Sequence, residues 1–137
     1  MSLIDDIKRH EGYSATVYKD HLGKETIGVG FLVSTLELDE DVCDIILQRL
    51  LTKKETEVNN RFGWYDGLPQ EVKDIVINMV YQLGLSGFSK FKKTIHYISE
   101  HRWTAVSIEM LDSLWAKQTP NRAKELSKRM AKVNENL

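Results

Sequence analysis

The stretch EGYSATVYKDHLGKETIGVGFLV, residues 11–33, decides the fold class of this chain. Two of its runs, residues 14–19 and 25–33, are rich in β-branched and aromatic residues, and a glycine-containing turn at 20–23 separates them. This pattern predicts a small β-hairpin, with a third short strand at residues 31–33. The longer runs outside this stretch have helical spacing, so the sequence predicts an α+β protein that is mostly α.

Helical patterns surround the hairpin. The predicted helices begin at Ser2, Asp39, Pro69, Ser89, Trp103 and Pro120. Helix 69–84 has the clearest signal, because its apolar residues repeat at intervals of three and four and a glycine stands at its end. Helix 39–58 has acidic residues early and basic residues late, as the helix dipole favours. Cys43 lies among the apolar residues of that helix and is predicted to be a small core residue.

Hydroxyl-bearing residues precede three of the predicted helices. Ser2, Ser89 and Thr119 each stand where a side-chain oxygen suits the N-cap position. Proline follows Thr119 at the first helical position, and the last helix is predicted to run over residues 120–132. We therefore expect all three hydroxyls to cap helices.

The order of these elements predicts a single domain over residues 1–137. Its lobes are a small β lobe at 13–38, a connecting helix at 39–59 and a helical lobe built from 1–12 plus 68–137. With 42% hydrophobic residues, a chain of this length buries roughly two-thirds of its unfolded surface, so it needs no disulfide to fold. Its single cysteine also excludes an internal disulfide.

Charge and hydropathy exclude several classes of protein. The longest apolar runs fall far short of a membrane span, and acids stand near the N-terminus where a signal peptide has bases. We therefore expect synthesis in the cytoplasm. The net charge of −1 hides a basic half, residues 86–137, which suits either a polyanion or a solvated helix face. No base-stacking motif accompanies the basic residues, so nucleic-acid binding is not predicted.

Glu11, Asp20 and Thr26 bring two carboxylates and a hydroxyl to one end of the predicted hairpin. Carboxylate pairs perform general acid/base catalysis when their surroundings keep one protonated and the other ionised. Solvated surface acids give the same spacing, so this pattern alone leaves both interpretations open. The four histidines lack the spacing of a zinc site, and no metal is predicted.

Five motifs follow one another along the chain. They are EG at 11–12, YKD at 18–20, TIGVG at 26–30, INMVYQLG at 77–84 and WAKQTPNRA at 115–123. Together they resemble the lysozymes of T-even bacteriophages, and the resemblance covers nearly the whole chain except residues 33–60. It implies a lysozyme-like fold in which a small β lobe is joined by a long helix to a helical lobe.

The resemblance implies an endo-acting muramidase that cleaves the β-1,4 bond after N-acetylmuramic acid in peptidoglycan, during host cell lysis and without a cofactor. By position in the motifs, Glu11 matches the general acid and Asp20 the carboxylate that assists water attack. Thr26 matches the hydroxyl that positions the water. A hydroxyl rather than a close second carboxylate favours inversion of configuration. The expected protein is a monomer made in the host cytoplasm, which reaches the cell wall in the periplasm through a holin pore.

Further site residues follow from the same resemblance. Those it implies for the glycan cleft are Leu32, Tyr81, Gln82, Gln118 and Thr119, and the supporting residues are Arg122 and Tyr18. Arg122 matches the arginine that pairs with the catalytic glutamate. From the residues alone, a core position is the favoured interpretation for Tyr81 and Leu32, and Arg122 could belong to a solvated face.

Three departures from the family pattern stand out. Residues 33–38 form a much shorter connection to the long helix than typical members have. Phe31 replaces a frequent histidine, and Glu109 stands where a small polar cleft residue is common. An alternative interpretation is therefore a peptidoglycan-binding or virion-associated module of the same fold, used at phage entry.

Overall fold

The computed structural model describes residues 2–134 and contains seven α-helices and three strands. The helices are α1 (Leu3–Glu11), α2 (Glu40–Arg61), α3 (Gln70–Phe88), α4 (Lys92–Ser99), α5 (Trp103–Leu111), α6 (Leu114–Gln118) and α7 (Pro120–Ala131); the strands are β1 (Ser14–Lys19), β2 (Glu25–Gly28) and β3 (Phe31–Leu32). The fold is α+β and mostly helical, as predicted. Contacts divide the chain into a first unit that ends at Asp44 and a second unit that begins at Ile45.

The first unit consists of α1, a three-stranded sheet and the start of α2. Ser2 and Asp5 form a capping box at the start of α1, which confirms the predicted cap. Gly12 ends the helix at φ 73°, a conformation that glycine adopts without strain. The strands form an antiparallel meander in the order β1-β2-β3, and a single turn of 3-10 helix at Val33–Thr35 follows.

The second unit contains the hydrophobic core. Its buried side chains come mainly from α3, α5 and α7, and the largest of them include Trp103, Tyr65 and Phe88. Helix α3 buries one apolar face but is interrupted at Gly84, whose φ of 74° and ψ of 163° are not helical. The prediction that the long apolar pattern stops at this glycine is therefore confirmed.

Several sequence-based expectations about helices are wrong. Cys43 is exposed rather than part of the core, and Val58 is the buried residue of α2 among those described. The reason is geometric: the apolar residues between 42 and 51 point around most of the helix circumference, so they share no single face. Ser89 does not cap α4, because its hydroxyl donates to the carbonyl of Leu85 instead. Helix α6 was not predicted.

Candidate active site

Asp20 is fixed by the tight turn between β1 and β2. Its Oδ1 accepts hydrogen bonds from the backbone amides of Leu22 and Lys24, each at 2.9 Å. The amide of Asp20 in turn donates to the Lys24 carbonyl, also at 2.9 Å. The hydrogen bond from the Lys24 amide is the largest influence on the Asp20 carboxyl, and it lowers the pKa of that carboxyl below the ordinary value. The Leu22 amide and nearby positive charge add to this effect. Asp20 is thus ionised and fixed in position.

Thr26 is connected to the same turn. Its side chain is buried, and its hydroxyl donates a hydrogen bond of 3.0 Å to the Lys24 carbonyl. That carbonyl therefore accepts bonds from both the Asp20 amide and the Thr26 hydroxyl. The oxygen of the hydroxyl keeps its lone pairs for another donor, such as water.

Three of the predicted site residues form one row across the sheet. Tyr18 on β1 pairs with Thr26 on β2, and Thr26 pairs with Leu32 on β3. Residues directly opposite each other on neighbouring strands present their side chains to the same face. The sheet therefore brings Tyr18, Thr26 and Leu32 together, beside the turn that carries Asp20.

Glu11 lies against the turn that joins β2 to β3. A Cβ atom placed on Gly30 would come within 2.7 Å of Glu11 Oε2 and 2.9 Å of its Cδ, which is closer than side chains tolerate. Gly30 also has a φ of 70°, so the backbone favours glycine, and any side chain at this position would displace the Glu11 carboxylate. The Glu11 side chain is solvent-exposed. Its carboxylate therefore rests on the sheet while remaining open to a ligand.

The predicted cleft residues of the second unit lie on α3, α6 and the start of α7. Tyr81 is 44% exposed and is thus not a core residue. Gln82 is exposed, and its Oε1 accepts a hydrogen bond of 2.9 Å from Nε1 of buried Trp115. This bond fixes the Gln82 side chain and leaves its NH₂ group able to donate to a ligand.

Gln118 and Thr119 end helix α6. Gln118 is exposed, whereas the Thr119 hydroxyl donates to the Trp115 carbonyl at 3.0 Å. The prediction that Thr119 caps α7 with its side chain is wrong, because that hydroxyl closes the preceding helix. Arg122 on α7 is half-buried and is attached to Asn78 on α3: its Nε donates to Asn78 Oδ1 at 2.8 Å and its Nη2 to the Asn78 carbonyl at 3.1 Å.

Sequence analysis assigned no role to four residues that organise these groups. Lys24 acts through its backbone, which leaves no side-chain signal. Gly30 is the last residue of the TIGVG motif, which gave this glycine no role of its own. Asn78 and Trp115 lie inside the quoted motifs. Asn78 is a polar residue between the apolar Ile77 and Met79, and this interruption of the apolar pattern is the sequence signal that could have pointed to it.

No three His, Cys, Asp or Glu side chains within residues 2–134 lie close enough together to hold a metal ion. None of the described helices is long and apolar enough to cross a membrane.

A glutamate at the end of the first helix and an aspartate at the end of the first strand provide two carboxyl groups, and most glycoside hydrolases use such a pair. The model of the family described as phage lysozyme matches residues 8–132. The chain therefore belongs to the phage lysozyme family, and this membership supports a muramidase-like glycoside hydrolase activity.

Two relatives from Dictyostelium discoideum agree with this assignment. The chain is 32% identical to probable T4-type lysozyme 2 and 30% identical to probable T4-type lysozyme 1. Each comparison covers 89% of this chain and 89% of the relative. The similarity thus extends over nearly the full length of both proteins.

Proposed function

We propose that this protein is an endo-acting N-acetylmuramidase. It hydrolyses the β-1,4 bond between N-acetylmuramic acid and N-acetylglucosamine in bacterial peptidoglycan, and it acts in lysis of the host cell. The observation that carries the proposal is the arrangement of the first unit, in which Asp20 and Thr26 share the Lys24 carbonyl and Glu11 rests on Gly30. These three side chains are the ones that the family motif assigns to catalysis.

In the proposed mechanism, Glu11 protonates the leaving glycosidic oxygen. An aspartate is ionised near neutral pH, and the two backbone hydrogen bonds to the Asp20 carboxylate favour this state further. Asp20 can therefore orient a water molecule and stabilise the positive charge of the sugar in the transition state. Thr26 accepts a hydrogen bond from that water, since its own proton is committed to the Lys24 carbonyl.

The hydroxyl beside Asp20 favours an inverting reaction. A retaining enzyme needs a carboxylate in direct contact with the anomeric carbon, whereas an inverting enzyme leaves room for water between its carboxylate and the sugar. We expect proton NMR in the first minutes of hydrolysis to detect release of the α-anomer. Initial release of the β-anomer would instead make Asp20 a nucleophile.

Substrate binding is proposed for Leu32, Tyr81, Gln82, Gln118 and Thr119, and a supporting role for Tyr18 and Arg122. Exposed Tyr81 provides a ring on which a sugar can pack, and the amide groups of Gln82 and Gln118 can hydrogen-bond sugar hydroxyls.

We propose that the protein acts as a monomer, is made in the host cytoplasm and reaches the wall through a pore formed by another protein.

The proposal is tested by loss of turbidity of purified cell walls. The Glu11→Gln variant should fold normally, because the side chain is exposed, and should lose at least about 100-fold of the activity, because an amide cannot donate the catalytic proton. Glu25→Gln is the matched control, because it makes an equal charge change at an exposed position on β2. A wild-type protein that binds walls without clearing them would instead favour the virion-associated binding module.

A further inference from the structure

Helix α2 carries a row of exposed apolar residues with one charged residue at each end. Val42, Ile46 and Leu50 are 39%, 42% and 38% exposed, and Asp39 and Lys53 are exposed as well. Asp39 lies directly before the helix, and its carbonyl accepts a hydrogen bond of 3.0 Å from the amide four residues later, so it continues the helical pattern. Residues at intervals of three, four and seven lie on one face of a helix. These five residues therefore form one surface, which we call the α2 stripe.

The α2 stripe is symmetric about Ile46. An apolar residue stands four positions away on each side, an acid stands seven positions before it and a base seven positions after it. If two copies of the helix pack antiparallel with Ile46 on the twofold axis, Asp39 faces Lys53 of the second copy. In the same arrangement, Val42 faces Leu50 of the second copy. A surface that pairs with itself in this way meets the requirement of a twofold-symmetric dimer.

The charges along α2 favour the antiparallel direction. Acids stand at positions 39, 40, 41 and 44, and bases stand at positions 49, 53 and 54. Antiparallel packing places the acidic part of each helix beside the basic part of the other, whereas parallel packing places like charges together. Within residues 2–134, the side chains of Asp39 and Lys53 form no ion pair and no hydrogen bond. Both charges are therefore available to a second copy of the chain.

We propose that the α2 stripe is a self-association surface, on which two copies of this chain form an antiparallel dimer centred on Ile46. The dimer covers the three apolar side chains and forms two ion pairs between Asp39 and Lys53. Stable interfaces of standard size use about 20–30 residues on each side, so this smaller contact is weak. We expect a dissociation constant on the order of 100 μM. The dilute enzyme that acts on cell walls is therefore still the monomer proposed above.

Sedimentation equilibrium at rising protein concentration tests the proposal. The average mass should rise from that of one chain, 15.8 kDa, towards that of two chains and go no further. Asp39→Lys and Lys53→Asp should each weaken dimerisation at least about tenfold, because each places like charges opposite one another at both ends of the interface. Lys124→Asp is the matched control, since it makes an equal charge change at an exposed position on α7, and it should leave dimerisation unchanged.

An exchange of charges separates lost pairing from damage to the fold. The double variant Asp39→Lys/Lys53→Asp should dimerise again, and so should an equimolar mixture of the two single variants, because each restores opposite charges across the interface. A wild-type mass that stays at one chain up to millimolar concentration, or that grows past two chains, would overturn the inference. A double variant that remains monomeric would overturn it as well.

Disulfide formation tests the direction and register of the two helices. In a Cys43→Ser background, a mixture of Val42→Cys and Leu50→Cys chains should form the mixed disulfide at least about fivefold faster than either chain cross-links to itself, because only antiparallel packing brings these positions together. Faster cross-linking of either chain to itself would indicate parallel packing and would overturn the proposed interface. These measurements need no substrate, so their outcome is independent of the proposed function.

Discussion

Backbone amides are the main cause of the lowered pKa of Asp20. The amide of Lys24 is the largest influence on its carboxyl, and the Leu22 amide reinforces it. Because both hydrogen bonds favour the charged form, the pKa of Asp20 is lower in the folded protein than in the unfolded chain. The stabilisation that this residue contributes is therefore present above the unfolded pKa and is lost as the pH falls through the folded pKa.

This difference predicts the titration of Asp20. Carbon NMR should give its carboxyl a midpoint below 3.8, the ordinary value for aspartate, in the folded protein. The same measurement in urea should return the midpoint to the ordinary value, because the turn and its two amide bonds are then lost. A midpoint at or above 3.8 in the folded protein would show that these amides do not stabilise the carboxylate.

At the scale of single residues, the sequence predicts which chemical groups form the site better than it predicts the hydrogen-bond partners around them. The motif singled out Asp20, and the turn chemistry placed it correctly after β1. The role of Lys24 could not be predicted, because any residue type supplies the same amide and carbonyl. Asn78 could not be recognised as the partner of Arg122, since 44 positions separate the two residues in the chain.

At the scale of elements, Gly30 joins α1 to the sheet by letting Glu11 lie against the β2–β3 turn. Gly30→Ala should lower the free energy of unfolding by roughly 1–3 kcal/mol, from the strained positive φ and from the clash with Glu11. The clash, unlike the strain, depends on the Glu11 side chain. Gly30→Ala should consequently cost at least about 0.5 kcal/mol less in a Glu11→Ala background.

Urea unfolding of the four proteins in this double-mutant cycle measures that difference. The Glu11→Ala protein serves as the matched reference, and circular dichroism checks that each variant keeps its helices. An equal cost of Gly30→Ala in both backgrounds would mean that Glu11 does not rest on this turn.

The elements themselves were predictable where local chemistry decides them. The hairpin and the Ser2 cap follow from turn glycines and from a capping hydroxyl, and both are confirmed. Helix α6 was missed because its five residues are too few for a periodic pattern. Thr119 was misassigned because a hydroxyl between two helices can serve either one, and only their final positions decide which.

Across the whole molecule, burial is distributed unevenly. Among residues 2–44 only Thr26 is buried, whereas the second unit has a continuous hydrophobic core. Since buried apolar area is the main source of resistance to opening, the two units should differ in stability. Hydrogen exchange should be slowest at core amides such as those of Val76, Val106 and Leu126, and faster throughout β1 to β3. Equal protection in the sheet and in these helices would contradict this expectation.

Mass spectrometry of the fragments released from peptidoglycan tests the central claim, hydrolysis after N-acetylmuramic acid, most directly. The account predicts fragments with N-acetylmuramic acid at the reducing end and one added water, with one ¹⁸O atom incorporated when hydrolysis takes place in labelled water. Fragments that end in reducing N-acetylglucosamine, in an anhydro sugar or in cut peptides would contradict it, because each requires a different bond or a different chemistry.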